Sequence, residues 1–163
     1  MKRDPCLVSF VRESNRIEGI TRNPRESELS AHETLLGLDV VTVADLTAFV
    51  AIVQPGAVLR NRPGLDVRVG NHNPPRGGPD IVPALERILR YAHGPQPVAG
   101  GVYHAPPFVT HHEYETLHPF TDGNGRSGRA LWAWQMIREE IWPGIRLGFL
   151  HAWYYQSLDG GLR

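Results

Sequence analysis

The sequence is poor in lysine and cysteine and has no long apolar run. Lys2 is the only lysine, so nearly every cation is an arginine, able to grip a carboxylate or phosphate through two parallel hydrogen bonds. Cys6 stands alone, which excludes an internal disulfide and any zinc site built from two or four cysteines, and fits a reducing compartment. No apolar stretch approaches the roughly 20 residues a membrane helix needs, and the polar start Met1-Lys2-Arg3-Asp4-Pro5 is not followed by a signal-peptide core. The expectation is a soluble cytoplasmic protein with no membrane partner; delivery as an effector by dedicated machinery stays open. A net charge is lacking too. The 17 basic and 17 acidic side chains cancel, which argues against the diffuse positive field of a general nucleic-acid binder. Internal repeats and low-complexity tracts are absent, which excludes solenoids and long disordered tails.

What is present is helical punctuation in 163 residues, a length that suits one domain over 1–163 burying roughly two thirds of its unfolded surface. Leu7, Phe10, Val11 and Ile17 mark one face of a first helix, with Gly19 as its stop. Asn23-Pro24-Arg25-Glu26 reads as N-cap, first-turn proline and a glutamate in the third helical position, so a second helix should run to about Leu36 before Gly37. Thr42 to Asp45 opens a third, with Leu46, Phe49, Val50 and Val53 inward and Gln54-Pro55-Gly56 closing it. Two short alternating segments, Val58 to Arg60 and Val67 to Val69, predict a small hairpin followed by a loop to Pro79. Asp80 should cap a helix through about Tyr91 with Ile81, Leu85, Ile88 and Leu89 inward, and a Gly/Pro-rich connection follows from His93 to Gly101. Pro106-Pro107 starts a helix to Leu117, where His118-Pro119 breaks it. Further helices are expected from about Arg126 to Glu140 and from Gly148 to Leu158. The fold class is mainly α with one β-hairpin.

The chemistry concentrates in His118-Pro119-Phe120-Thr121-Asp122-Gly123-Asn124-Gly125-Arg126-Ser127-Gly128-Arg129. Gly123 and Gly125 allow a bend that turns N–H groups inward at a helix start, which attracts anions such as phosphate. Asn124 can add a side-chain donor, and Arg126 and Arg129, three apart, can hold further phosphate oxygens. Asp122 offers the hard oxygen that Mg²⁺ prefers, with diphosphate and water completing its shell. His118, with an ordinary pKa near 6.5, suits removal of a proton from an attacking hydroxyl. Phe120 reads as packing beneath the loop.

This segment resembles the Fic family signature HPFx[D/E]GNGRxxR at every specified position. Upstream, Ser14-Asn15-Arg16-Ile17-Glu18-Gly19 resembles the family's inhibitory motif [S/T]xxxE[G/N], as in self-inhibited members that carry their own N-terminal helix, here residues 7–19. The resemblance implies a Fic-like helical bundle with a β-hairpin flap, and a protein adenylyltransferase that moves AMP from ATP to a Tyr, Thr or Ser hydroxyl of a target protein. Carried over residue by residue, His118 is the base, Asp122 the Mg²⁺ ligand, Gly123, Asn124 and Gly125 the anion hole, and Arg126 and Arg129 the ligands of the outer phosphates. Glu18 is the inhibitory carboxylate, pairing with Arg129 so that the γ-phosphate site is occupied, and Ser14 opens the same motif. The hairpin near 60–70 matches in position the flap that holds a target segment by strand addition.

Rival readings attach to the same residues. On this fold they are removal of AMP, with Glu18 orienting a water, or transfer of UMP, phosphate or phosphocholine. A different class is a non-catalytic partner in a toxin–antitoxin pair, and self-association into a homo-oligomer remains open. His104, His111, His112, His118 and Asp122 invite a transition-metal reading, but adjacent His111 and His112 point about 100° apart on a helix, and neither has a histidine four residues on. Trp153, Tyr154 and Tyr155 would either wall an adenine pocket or pack in the core. Cys6 reads as packing rather than reacting.

Overall fold

The computed structural model describes residues 3–140. Helix α1 spans Pro5–Ile17, with Asp4 accepting a hydrogen bond from the Cys6 N–H at 2.8 Å and proline in the first turn. It ends as the sequence predicts: Gly19, at φ 73°, turns the chain back so that its N–H donates to the Arg16 carbonyl. Helix α2 spans Glu26–Leu36 and begins later than the Asn23-Pro24 pattern suggests. The glutamate that sets its start is Glu28, whose carboxylate reaches back to the Arg25 N–H at 2.8 Å, not Glu26. Helix α3, Val43–Val53, opens with the reciprocal Thr42–Asp45 capping pair and buries Leu46, Phe49, Val50 and Val53.

Helix α4, Ile81–His93, buries the four predicted residues together with Ala92. Asp80, however, makes no side-chain cap. Helix α5 spans Pro107–Leu117 and α6 spans Asn124–Arg138. Almost every residue of α6 from Asn124 to Gln135 is buried, so the helix lies at the centre, against α5, α2, α3 and α1. Its near-continuous burial explains why no single apolar stripe marks it in the sequence.

The hairpin is real but misplaced by the sequence reading. It consists of β1, Gln96–Val98, and β2, Gly101–Tyr103, antiparallel with Pro97 opposite Val102, in the stretch expected to be a plain connection. Both strands are three residues long and largely exposed, so they carry no buried alternation to detect. The segments expected to pair with each other find other partners. Residues 58–60 pair with 119–121: the Arg60 N–H donates to the Pro119 carbonyl and the Thr121 N–H to the Val58 carbonyl, both at 2.9 Å. Val69 instead bridges His72 across a two-residue Gly70-Asn71 turn. Residues 61–77 therefore form a closed loop, cinched by the Gly78 N–H on the Arg60 carbonyl and the Gly77 N–H on Asp66 Oδ1.

One apolar core gathers α2 to α6 around Leu46, Phe49, Leu85, Tyr114, Phe120 and Trp134. A second, smaller one seats α1 through Leu7, Phe10 and Val11 on Leu29, Trp132 and Ala133. No helix among the described residues is long and apolar enough to cross a membrane. The predicted helix from Gly148 to Leu158, with Trp153, Tyr154 and Tyr155, lies outside the described residues.

Candidate functional site

Helix α5 ends where proline forbids its continuation, and His118 takes up a left-handed backbone, φ 50° and ψ 63°. Its Nδ1 lies 3.3 Å from the Glu115 carbonyl oxygen. A carbonyl can only accept, so the proton sits on Nδ1 and the Nε2 lone pair is left for chemistry. Burial pushes the imidazole below its ordinary pKa. The Arg60 and His72 charges push the same way, while the Glu115 carbonyl and the Glu18 carboxylate oppose. The net direction keeps His118 neutral near pH 7, the form a base requires.

The bend after it is self-bonded. Asn124 Oδ1 accepts from the Phe120 N–H at 2.9 Å and Asn124 Nδ2 donates to the Phe120 carbonyl at 2.8 Å. Both ends of this side chain hold the loop closed over the buried Phe120 ring, while the residue still lines the cleft. Gly123, at φ 75°, caps α6, and a Cβ there would sit 2.9 Å from Gln54 Cβ, so only glycine fits. Because α6 begins at Asn124, earlier than the sequence suggests, the N–H groups of Asn124, Gly125 and Arg126 fall in its first turn without partners inside the helix. They form the positive end of the α6 dipole.

Arg126 faces away from this mouth. Its Nη1 donates to the Val53 carbonyl at 2.6 Å and its Nη2 to Gln54 Oε1, at the C-terminal end of α3, where a cation suits the helix dipole. Gln54 in turn donates from Nε2 to Asp122 Oδ2 at 2.6 Å, while Asp122 Oδ1 accepts from the Gly123 N–H. Gln54 thus links the arginine to the acid across 68 residues of sequence, a connection no local pattern announces. Asp122 remains exposed at the mouth. Each oxygen takes one hydrogen bond and keeps a further lone pair, so this carboxylate fits Mg²⁺ whose other ligands are phosphate and water oxygens.

Arg129 is the buried cation of the site, its side chain 1% exposed against 37% for Glu18. Nε donates to Ser14 Oγ at 2.9 Å, and Nη2 donates to the Ser14 carbonyl at 2.9 Å and to Glu18 Oε1 at 2.6 Å. Ser14 and Glu18, one turn apart at the end of α1, therefore grip the same guanidinium. A Cβ on Gly125 would fall 2.3 Å from that same Glu18 oxygen. The carboxylate occupies room that only a glycine leaves. Beneath it, Glu28 is fully buried and takes hydrogen bonds from Arg22 at 2.6 and 2.9 Å, from Arg25, and from Asn15 Nδ2 at 3.4 Å. Burial raises its affinity for a proton, but the Arg22 and Arg25 hydrogen bonds outweigh that and hold its pKa down to about 2.

Arg60, which the sequence reading did not single out, is fully buried. Its Nε donates to the His118 carbonyl at 2.7 Å, Nη2 to the Leu117 carbonyl at 2.8 Å, and Nη1 to the carbonyls of Pro75 at 2.8 Å and Leu65 at 3.3 Å. Nothing local distinguishes it from the exposed Arg62 or Arg68.

These pieces meet in a cleft of about 250 Å³ lined by Glu18, His118, Asp122, Asn124, Gly125 and Arg129 together with Ile17, Val69, Glu115 and Gly123. Eight of the nine predicted site residues are thus brought to or beside it, with Ser14 beneath Arg129; Arg126 supports it from behind. A larger hollow of about 420 Å³ between the start of α3 and α4 is lined half by aliphatic residues and half by polar ones, among them Glu86, Arg90 and His93, and holds none of the signature residues. The remaining histidines scatter. His111 is buried, with burial pushing its pKa down to about 3, His112 is exposed, and His104 lies 3.2 Å from Glu139. Among the described residues no group of three His, Cys, Asp or Glu could hold a metal ion.

A family model for the Fic/DOC family matches residues 33–136, which include the whole signature and leave α1 outside. The fold is similar to the crystal structure of a Fic family protein from Desulfovibrio desulfuricans G20, with TM-score 0.59 and 20% sequence identity, over 94% of this chain and 54% of that one. The chain thus spans about half the length of that relative. With the signature folded into a histidine-bearing loop and a helix start that share one cleft, and the family match covering well over half of its residues, the chain belongs to the Fic/DOC family.

Proposed function

We propose that the protein is an adenylyltransferase that moves AMP from ATP to a hydroxyl of a target protein and is held in check by its own Glu18. The observation that carries this reading is the convergence of a neutral imidazole, the positive end of α6 and the Arg129 guanidinium on one cleft. The first-turn N–H groups of α6 suit the oxygens of a di- or triphosphate, and Arg129 suits its far end. His118 Nε2 accepts the proton of the target hydroxyl as its oxygen bonds to the α-phosphorus and pyrophosphate departs, and Nδ1–H stays on the Glu115 carbonyl to stabilise the imidazolium. Asp122 would hold Mg²⁺, which when bound neutralises charge on the leaving diphosphate.

Glu18 opposes this arrangement twice. Its carboxylate takes the guanidinium that a γ-phosphate needs, and it adds negative charge where phosphate would lie. ATP is then bound weakly or with its α-phosphorus out of line for attack. The 61–77 loop, whose Val69 reaches the cleft, is the surface for the target segment. Glu18→Gly protein incubated with labelled ATP and Mg²⁺ should label itself or lysate proteins. ATP binding without any transfer would sink the assignment.

The exposure of Glu18 in the same cleft as His118 favours a second reading, hydrolytic removal of AMP with Glu18 orienting a water. Mass spectrometry of an AMP-modified protein incubated with the wild-type chain separates the two, since only this second reading expects the modification to disappear and to persist with Glu18→Gly.

A further inference from the structure

We propose that Arg60 is a positioning residue for His118: its buried guanidinium fixes the left-handed backbone that aims the imidazole into the cleft, and ties that backbone to the 61–77 loop. A helix leaves its last four carbonyl groups without partners inside the helix. Here the Tyr114 carbonyl accepts from the His118 N–H at 2.9 Å and the Glu115 carbonyl lies 3.3 Å from His118 Nδ1. The Thr116 carbonyl meets His72 Nε2 at 2.9 Å, and the Leu117 carbonyl accepts from Arg60 Nη2 at 2.8 Å.

Arg60 continues past the helix end, with Nε on the His118 carbonyl at 2.7 Å and its own backbone N–H on the Pro119 carbonyl at 2.9 Å. Three successive carbonyls, one before, one at and one after the histidine, thus answer to one residue. A planar guanidinium reaches them from fixed angles, which an ammonium cannot. The remaining nitrogen holds the Pro75 and Leu65 carbonyls on opposite limbs of the loop. A shift of that loop is therefore felt at the backbone of the base.

The charge acts as well. Around His118 stand Arg60 and His72 from the loop side, Glu115 from α5, with Oε2 3.9 Å from Nδ1, Glu18 from α1 and Asp122 from the bend. Arg60 is among those that lower the affinity of the imidazole for a proton. The rate readouts below rest on the adenylyl-transfer reading, whereas the imidazole readout does not.

The test uses Arg60→Met and Arg60→Lys in the full chain, with and without Glu18→Gly, and Arg90→Met on the exposed face of α4 as control. Nitrogen-15 NMR of the imidazoles should show the His118 titration midpoint raised in Arg60→Met, close to the parent in Arg60→Lys, and unmoved in the control. With Glu18→Gly present, kcat for transfer should fall about 100-fold in Arg60→Met with KM for ATP changed less than about 2-fold, and part of that loss should persist in Arg60→Lys. In a His118→Ala background Arg60→Met should cost nothing more, because it acts through the missing imidazole. A folded Arg60→Met protein with an unchanged His118 midpoint and tautomer, or an equal loss of rate with and without His118, would overturn the proposal. Should the methionine variant not fold, Arg60→Lys decides alone, and a parental kcat there overturns it. Absence of transfer in every variant is instead the failure of the functional reading, and the NMR arm then still decides the role of Arg60.

Discussion

The two walls of the cleft are built in opposite ways. The wall from His118 to Arg129 is bonded within itself by contacts four residues apart or less, Asn124 on Phe120, Asp122 on Gly123 and Ser127 Oγ on the Gly123 carbonyl, and is braced from outside by Gln54 and Arg60 but not by α1 except through Arg129. The opposite wall, the end of α1, is held at a distance. Glu18 reaches Arg129 across 111 residues, and its helix rests on a small separate core and on the buried Glu28. A locally bonded wall can be kept rigid for catalysis while the other is displaced, because few contacts are shared between them. On the proposed reading, restraint and chemistry are then physically separable.

Mutations can break that comparison at its strongest point first. His118→Ala removes the proposed base and should lower transfer by about 10²- to 10⁴-fold, the usual contribution of a positioned base. Because the loop is closed by Asn124 and not by the imidazole, the melting temperature should stay near that of the parent. A comparable rate in this variant would remove His118 from the mechanism, and a collapse of the fold would show that the wall is not self-supporting. Glu18→Gly tests the other wall. A charge-assisted hydrogen bond is worth about 1.5–3 kcal/mol, and partial exposure of Glu18 reduces this, so transfer and ATP affinity should rise about 10-fold while the fold is kept. Isothermal titration with a non-hydrolysable ATP analogue reads the affinity directly.

How much of this was legible in the sequence follows the same division. The self-bonded wall was readable because its residues lie within one twelve-residue window, and helix starts such as Thr42–Asp45 were readable because a cap is a local event. Ser14 and Glu18 were readable as a short motif, although the grip of both on Arg129 needed the fold. Arg126 and Asn124 were found as polar residues in the right window, but their bonds to the end of α3 and to Phe120 were not foreseen, since composition cannot say which way a side chain faces. Arg60 and Gln54 act across 58 and 68 residues on the loop that bears His118 and Asp122, and the β-hairpin moved because its short, exposed strands carry no pattern. What is settled by non-local hydrogen bonding leaves no periodic trace.

A last expected effect concerns stability rather than rate, and it sharpens the contrast by placing the carboxylate part of the acid sensitivity beside α1. Glu28 is held near pKa 2 against an ordinary 4.5. The folded state therefore keeps its carboxylate ionised where the unfolded chain binds a proton, and the stabilisation, present above about pH 4.5, is lost as pH falls toward 2. His32, stacked edge-on between Phe10 and Phe49, is pushed by burial to about 4 from 6.5. The unfolded chain charges this histidine first, so stability also falls between pH 6.5 and 4, with His111 of α5 adding to the same window. Melting temperature against pH should thus drop in two overlapping steps. Glu28→Gln should destabilise the protein by about 2 kcal/mol at pH 7 and erase the lower step, leaving the upper one intact. If the lower step survived in Glu28→Gln, the acid response would belong to other carboxylates, and the idea that this buried acid secures α1 would lose its thermodynamic support.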